Sequence, residues 1–101
     1  MSRNRIETLA AIQSIETNLY TCFYSIEPVQ SIYLQALDEI HNVFVFLKQD
    51  RYDEGLMDCL LEQESDIVEQ YPEILFNFHY LPLLDNIPPA IPENATLVFG
   101  Q

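Results

Sequence analysis

Residues 42–47 read "NVFVFL", and this short stretch decides which fold class the sequence predicts. Over residues 29–48, apolar side chains recur three or four positions apart, which is the spacing of one face of an α-helix. Valine and phenylalanine are also enriched in β-strands, because branched and aromatic side chains pack well on a pleated surface. The spacing predicts a helix over 29–48; a strand over 42–47 is the open alternative and would change the fold class.

The helix predicted over 29–48 is apolar around most of its circumference. Its inner face contains Val29, Ile32, Tyr33, Ala36, Leu37, Ile40, Val43, Phe44 and Leu47. At helical spacing, Leu34, Val45 and Phe46 fall on the opposite side. Apolar side chains on both sides indicate that a further element or a second subunit covers this segment.

Helices are also predicted before and after this segment. From residue 3 to residue 26 the apolar residues form one helical stripe. Pro28 ends it, because proline lacks the N–H that a helix interior requires. A third helix covers residues 53–70 and stops before Pro72. Residues 72–81 are predicted to form a short fourth helix that stops before Pro82 and is apolar on nearly every side.

Residues 1–101 form a single predicted domain. The length and the apolar content of 49% are sufficient for a modest core, and two glycines are few for the turns of an all-β protein. The C-terminal tail, residues 86–101, is proline-rich and is predicted to pack in extended form across the helices. The predicted fold class is therefore all-α: a small antiparallel bundle of three main helices, a short fourth helix and an extended Pro-rich tail.

The chain is strongly acidic, with a formal net charge of −12. Its four basic residues are Arg3, Arg5, Lys48 and Arg51. Without a cluster of basic residues, direct binding of nucleic acid or of an anionic membrane is not expected. No apolar run has the length of a signal sequence or a membrane span, so we expect the protein in the cytoplasm, with Cys22 and Cys59 reduced.

Residues 53–73 contain carboxylates and no lysine or arginine. On a helix, six of them share one side, which we call the acidic face: Glu54, Asp58, Glu62, Asp66, Glu69 and Glu73. Such a face either favours solubility or binds a basic protein partner. Carboxylates four residues apart lie about 6 Å apart along the axis. Because that spacing is comparable to successive phosphates, the alternative function is a nucleic-acid-mimicking inhibitor or antitoxin that occupies the basic groove of a nuclease or DNA-binding protein.

Aromatic residues outside the predicted inner stripes indicate a second contact surface. They are Phe46, Phe76, Phe78 and Tyr80. Aromatic side chains are enriched at protein interfaces, and charged ones are depleted from interface centres. We therefore interpret the chain as a non-enzymatic interaction or regulatory protein that uses this aromatic set and the acidic face, and that also forms a homodimer.

One carboxylate, Glu64, falls among the apolar residues of the third predicted helix. A buried carboxylate without a partner is costly, so Glu64 is expected either to reach a hydrogen-bonding partner or to lie at the helix edge. The candidate partners are His41, His79, a tyrosine and Arg5.

No catalytic, cofactor or metal site is predicted. Asp38 and His41 are three residues apart and would face one ion from a helix, but a zinc site usually needs three or four ligands. The two glycines are too far apart for a phosphate-binding loop. Cys22 and Cys59 lie on or beside apolar stripes, where a thiol is usually inert.

Overall fold

The computed structural model describes residues 5–37, 40–48, 54–83 and 91–100. In chain order its elements are α1 (Arg5–Phe23), β1 (Val29–Leu37), β2 (Ile40–Leu47), α2 (Glu54–Gln70), β3 (Leu75–Pro82) and β4 (Thr96–Phe99). They form a four-stranded mixed sheet with two helices. The prediction of an all-α bundle is therefore wrong, although the first and third predicted helices are confirmed as α1 and α2.

The segment that decides the fold, residues 29–48, forms β1 and β2 instead of a helix. The two strands pair antiparallel, with Ile32 opposite Val45 and Leu34 opposite Val43. These four side chains are buried, and the residues between them point to the other side of the sheet. The helix prediction failed because the twelve apolar residues of this twenty-residue segment are distributed so that periods of 3.6 and of two both fit it. Strands let the branched valines pack on a pleated, buried surface.

The prediction of a short fourth helix over residues 72–81 is also wrong, because β3 occupies most of that segment. Phe76, Phe78 and Tyr80 alternate along β3 and pack against the core. The strand runs parallel to β2, and α2 forms the connection between them. Asn77 and His79 alternate with these aromatic residues, and this period of two is typical of a half-buried strand, so the helix prediction overlooked a local signal.

The strands lie in the order β3-β2-β1-β4, so β3 and β4 are the edges. β4 pairs antiparallel with β1. The tail was predicted to pack in extended form across the helices, whereas its residues 96–99 form β4 and join the sheet. The part of the tail at residues 86–90 lies outside the described residues.

Both helices pack on one side of the sheet, which we call the helix-facing side; the opposite side is the outer face. The fully buried centre of the core combines both layers: Ile15, Leu19 and Phe23 of α1, Leu60 and Ile67 of α2, and Ile32, Val43 and Val45 of the sheet. Each of these side chains stabilises the fold by about 1.5–3 kcal/mol relative to exposure. Neither α1 nor α2, the helices of the described ranges, has the length and apolarity needed to cross a membrane.

Candidate functional site

The sheet carries none of the charge of this acidic chain. No residue of β1, β2, β3 or β4 is Asp, Glu, Lys or Arg, although charged residues are 20% of the sequence. A sheet that faces water usually alternates apolar and polar residues. Charge is therefore confined to the helices and connections, and the surfaces at the sheet are neutral.

Edge strand β3 presents open peptide groups. The Leu83 N–H donates to the Leu47 carbonyl at 2.7 Å, which continues the parallel pairing of β3 with β2. Because successive residues of a strand turn their peptide groups to opposite sides, the N–H and C=O of Phe76, Phe78 and Tyr80 point away from β2. Within the described ranges no strand pairs with that side of β3. This edge therefore offers unpaired donors and acceptors in alternation.

The side chains of the same three residues form an aromatic ladder along β3. Ring centroids of Phe76 and Phe78 are 5.9 Å apart, and those of Phe78 and Tyr80 are 6.3 Å apart. Phe78 also approaches the buried Phe23 of α1, with a centroid distance of 6.3 Å. All three rings of the ladder are half-buried. The ladder thus anchors β3 in the core and leaves aromatic surface at the edge.

Phe46 does not belong to the aromatic ladder. It pairs with Leu81 in the register of β2 and β3 and points to the outer face, where its ring meets Tyr33 at a centroid distance of 5.8 Å. Only 3% of Phe46 is exposed. Of the four aromatic residues proposed from sequence, the structure brings together three and places the fourth on the other side of the sheet.

A hydrogen bond joins the ladder to α2. The Tyr80 hydroxyl donates to a Glu64 carboxylate oxygen at 2.9 Å, which confirms that Glu64 reaches a tyrosine. Burial raises the pKa of Tyr80 far above its usual range, and the hydrogen bond to Glu64 and the negative charge of that carboxylate raise it further. This bond fixes the side of α2 that faces β3.

The acidic face lies on the solvent side of α2. All six of its carboxylate residues are exposed, and Glu73 follows the end of the helix. Burial raises the pKa of the Cys22 thiol on α1, and the negative charge of Asp66 raises it further. Asp66 is therefore close enough to α1 to interact with this thiol. The acidic face therefore begins near α1 and continues around the solvent side of α2.

An apolar line separates the acidic face from the β3 edge. It consists of Leu61 and Val68, which are 46% and 42% exposed and lie seven residues apart on one side of α2. At about 100° per residue, that line falls between Glu64, which bonds to β3, and Glu54 of the acidic face. A partner at the edge would meet four features in order: open peptide groups, the aromatic ladder, the apolar line and the acidic face. Together these form the β3 edge site.

Sequence reasoning found the acidic face and the aromatic ladder but missed the open edge and the apolar line. Helical spacing assigns Leu61 and Val68 to the apolar side of the helix, opposite the acidic face. Their position at the margin of that side is visible on a helical wheel, next to Glu54. The open edge depends on the order of strands in the sheet, which no local pattern encodes.

The outer face carries a further polar arrangement that sequence reasoning missed. Gln35 Nε2 donates to the Glu93 carbonyl at 2.8 Å, and Asn42 Nδ2 donates to Gln35 Oε1 at 3.0 Å. His79 Nε2 lies 3.4 Å from Asn42 Oδ1, and its ring stacks on Phe44 at 4.8 Å. This chain of bonds crosses three strands and ties residue 93 to β1. The side chains of Gln35, Asn42 and His79 already bond to their neighbours in this chain, and these bonds stabilise the sheet.

Among the described residues that were considered for metal binding or catalysis, none assemble into a centre. His41 is buried beside Phe76, and burial lowers its pKa; Asp38 lies outside the described residues. No group of three potential ligands occurs in the part of the chain that the structure describes. Cys22 and Cys59 are half-buried free thiols.

Comparison with protein-family models, curated proteins and solved structures found no match to this chain.

Proposed function

We propose that this chain is a non-enzymatic interaction or regulatory protein of the cytoplasm that binds a basic protein partner at the β3 edge site. The observation that carries the proposal is the apolar line of Leu61 and Val68 beside the acidic face. Protein interfaces combine an apolar centre with a polar, charged rim. A partner with apolar residues flanked by Lys or Arg would match both parts of this surface.

The same observation favours a partner with an apolar contact surface over the basic phosphate-binding groove that a nucleic-acid mimic would occupy. A basic groove that binds phosphates makes most of its contacts through charged and polar groups. Such a groove offers little apolar surface to cover Leu61 and Val68. A protein partner removes them from water, at about 25 cal/mol per Å² of apolar surface.

The test compares two charge-reversed variants with the same change in net charge. In the site variant, Asp58→Lys and Glu62→Lys reverse the centre of the acidic face. In the control, Glu27→Lys and Glu93→Lys reverse exposed carboxylates in turns away from α2. Each tagged protein captures partners from its native lysate at low salt, followed by a salt gradient and mass spectrometry. Circular dichroism verifies that each variant is folded.

We expect the wild type and the control to retain the same basic protein, and the site variant to lose it. A third variant, Leu61→Ser with Val68→Ser, should also lose it, because the apolar line contributes contact area. Equal loss in the site variant and the control would mean that only net charge matters, and would refute a specific site. Capture of a nuclease or DNA-binding protein that is indifferent to the serine substitutions would support the mimic instead.

A further inference from the structure

We propose that the open edge of β3 takes up an extended segment of the basic partner as a fifth strand of the sheet. This inference rests on the proposed function and specifies how the partner is held. The outward N–H and C=O groups of Phe76, Phe78 and Tyr80 provide the hydrogen bonds for such a strand. Backbone pairing supplies affinity, and the alternating side chains of the added strand supply specificity.

The sequence and register of β3 itself lack the features by which a strand usually blocks strand addition. Protective edges are short, bulged, charged or interrupted by proline. β3 has eight residues, pairs with β2 without a register shift and contains no Lys, Arg, Asp or Glu. Its one proline, Pro82, is the last residue of the strand. Within the described residues, an added strand meets no charged side chain and no internal proline along β3 from Leu75 to Leu81.

The negative charge around the edge of β3 determines which kind of chain can pair with it. In a second copy paired through β3, the two α2 helices would become neighbours, and their acidic faces would approach each other in molecules of net charge −12. Like charges in that arrangement repel within a Debye length of about 8 Å at physiological salt. A basic segment reverses the sign of this interaction. The edge is therefore suited to a strand from a basic protein and disfavours self-pairing.

The geometry also specifies the side chains of the added strand. Residues that point to the helix-facing side would meet Tyr80, Phe78 and the apolar line on α2, so they are apolar or have long aliphatic stems. Lysine and arginine fit there as well, because their stems cover apolar surface while their charged ends reach outward. Those ends would contact the acidic face. The expected segment therefore has basic residues at every second position, on the helix-facing side. The apolar residues between them lie on the uncharged outer face.

The test uses a short capped peptide of alternating lysine and valine, added to the full chain labelled with ¹⁵N. Its control is a peptide of the same sequence in which every central amide is N-methylated, which keeps the charges and side chains but removes the backbone donors. Affinity is measured by titration at low salt. Hydrogen exchange of individual amides in β3 is followed by NMR with and without peptide.

Strand addition predicts a period of two in the exchange data. In the free protein, the amides of Phe76, Phe78 and Tyr80 should exchange fast, and those of Asn77, His79 and Leu81 should be protected by β2. The unmodified peptide should slow exchange at Phe76, Phe78 and Tyr80 by at least tenfold and leave the other three unchanged. The N-methylated peptide should bind at least tenfold more weakly.

Three results would overturn the inference. Equal binding of both peptides without the alternating protection would show charge-driven contact only, and would leave the proposed function intact. Binding of neither peptide at low salt would exclude strand addition by a basic segment, and the capture experiment would then judge the proposed function separately. Concentration-dependent protection of Phe76, Phe78 and Tyr80 without peptide would assign the edge to a second copy.

Discussion

The two edges of the sheet differ in length and in what closes them. β3 has eight residues in regular register with β2, whereas β4 has four and shows a register shift between Ile32 and Tyr33 of β1. A short edge with an irregular register offers few aligned peptide groups to another chain. β4 is thus a blunted edge, and β3 is an open one.

The end of β4 is also held tightly against its neighbours. Phe99 contacts the ring of Tyr20 on α1 and the ring of Tyr24 just after that helix, at centroid distances of 5.5 and 6.0 Å. Gly100 follows with φ of 134°, and a Cβ there would lie 2.3 Å from the Ser31 Cβ. Such close packing fixes the end of β4 against β1 and α1. One edge of the sheet is thus short, irregular and anchored, and we call it the closed edge; the other is long and regular, and no strand of the described residues pairs with it.

The largest effect is expected from removing the anchor of the open edge. Phe78→Ala should lower the free energy of unfolding by about 3 kcal/mol, because it deletes a ring packed between Phe76, Tyr80 and the buried Phe23. The matched control is Asn77→Ala on the same strand, where an exposed side chain should change stability by less than about 0.5 kcal/mol. Urea denaturation measures both. Equal losses would mean that β3 is held by its backbone pairing and not by the ladder.

The bond between β3 and α2 should contribute the next largest effect. Tyr80→Phe removes the donor to Glu64 and should cost about 1.5 kcal/mol, as for hydrogen bonds to charged groups. Tyr24→Phe, at an exposed ring, serves as the control and should change stability by less than about 0.5 kcal/mol. Urea denaturation at neutral pH tests this difference. Indistinguishable denaturation midpoints would show that the hydrogen bond from Tyr80 to Glu64 does not contribute to the stability of the fold.

The same tyrosine gives the open edge a pH dependence. Because folding raises the pKa of Tyr80, the folded state holds the phenolic proton more tightly than the unfolded state does. The resulting stability is complete below the unfolded pKa of about 10 and is lost as the pH rises above it. Stability measured from pH 8 upward should therefore fall less steeply in Tyr80→Phe than in the wild type. Parallel curves would contradict this assignment.

A smaller effect is expected at the closed edge. Gly100→Ala places a Cβ against Ser31 at a positive φ and should cost about 1 kcal/mol, the scale of such backbone strain. Faster hydrogen exchange should be confined to β4. The only other glycine of the chain, Gly55, lies in α2, where substitution by alanine should stabilise by about 0.5 kcal/mol. Stabilisation by both substitutions would mean that the end of β4 does not constrain the chain.

The sequence predicted α1 and α2 correctly, whereas the segments that form β1, β2 and β3 were assigned to helices. In α2, carboxylates fall on one side and buried Leu60 and Ile67 on the other, so only a period near 3.6 fits. Residues 29–48 contain only three charged residues, Asp38, Glu39 and Lys48. These are too few to mark a solvent-facing side of a helix. The apolar residues therefore fit either period, and pairing across the sheet chose the strand. Long-range pairing overrode a pattern that was ambiguous locally.

The candidate site divides in the same way. Its acidic face and three of its four proposed aromatic residues follow from sequence, because both depend on residue type and spacing. Placing Phe46 with the other three was inconsistent with the structure, because alternation in β2 turns it to the outer face. The open edge requires knowing that β3 lies outside β2, and this is a property of the whole topology.

The smallest effect on stability should come from the acidic face beside the open edge. Asp58→Asn with Glu62→Gln removes a like-charge pair four residues apart and should stabilise the fold by about 0.3 kcal/mol at low salt. The gain should shrink as salt screens the repulsion, whereas Glu27→Gln with Glu93→Gln, which removes no helical pair, should show no such trend. Urea denaturation at two salt concentrations measures the difference. A loss of stability would mean that these two carboxylates stabilise the fold. A gain would mean that they destabilise it slightly, and binding of a basic partner would then explain why they lie beside the edge of β3.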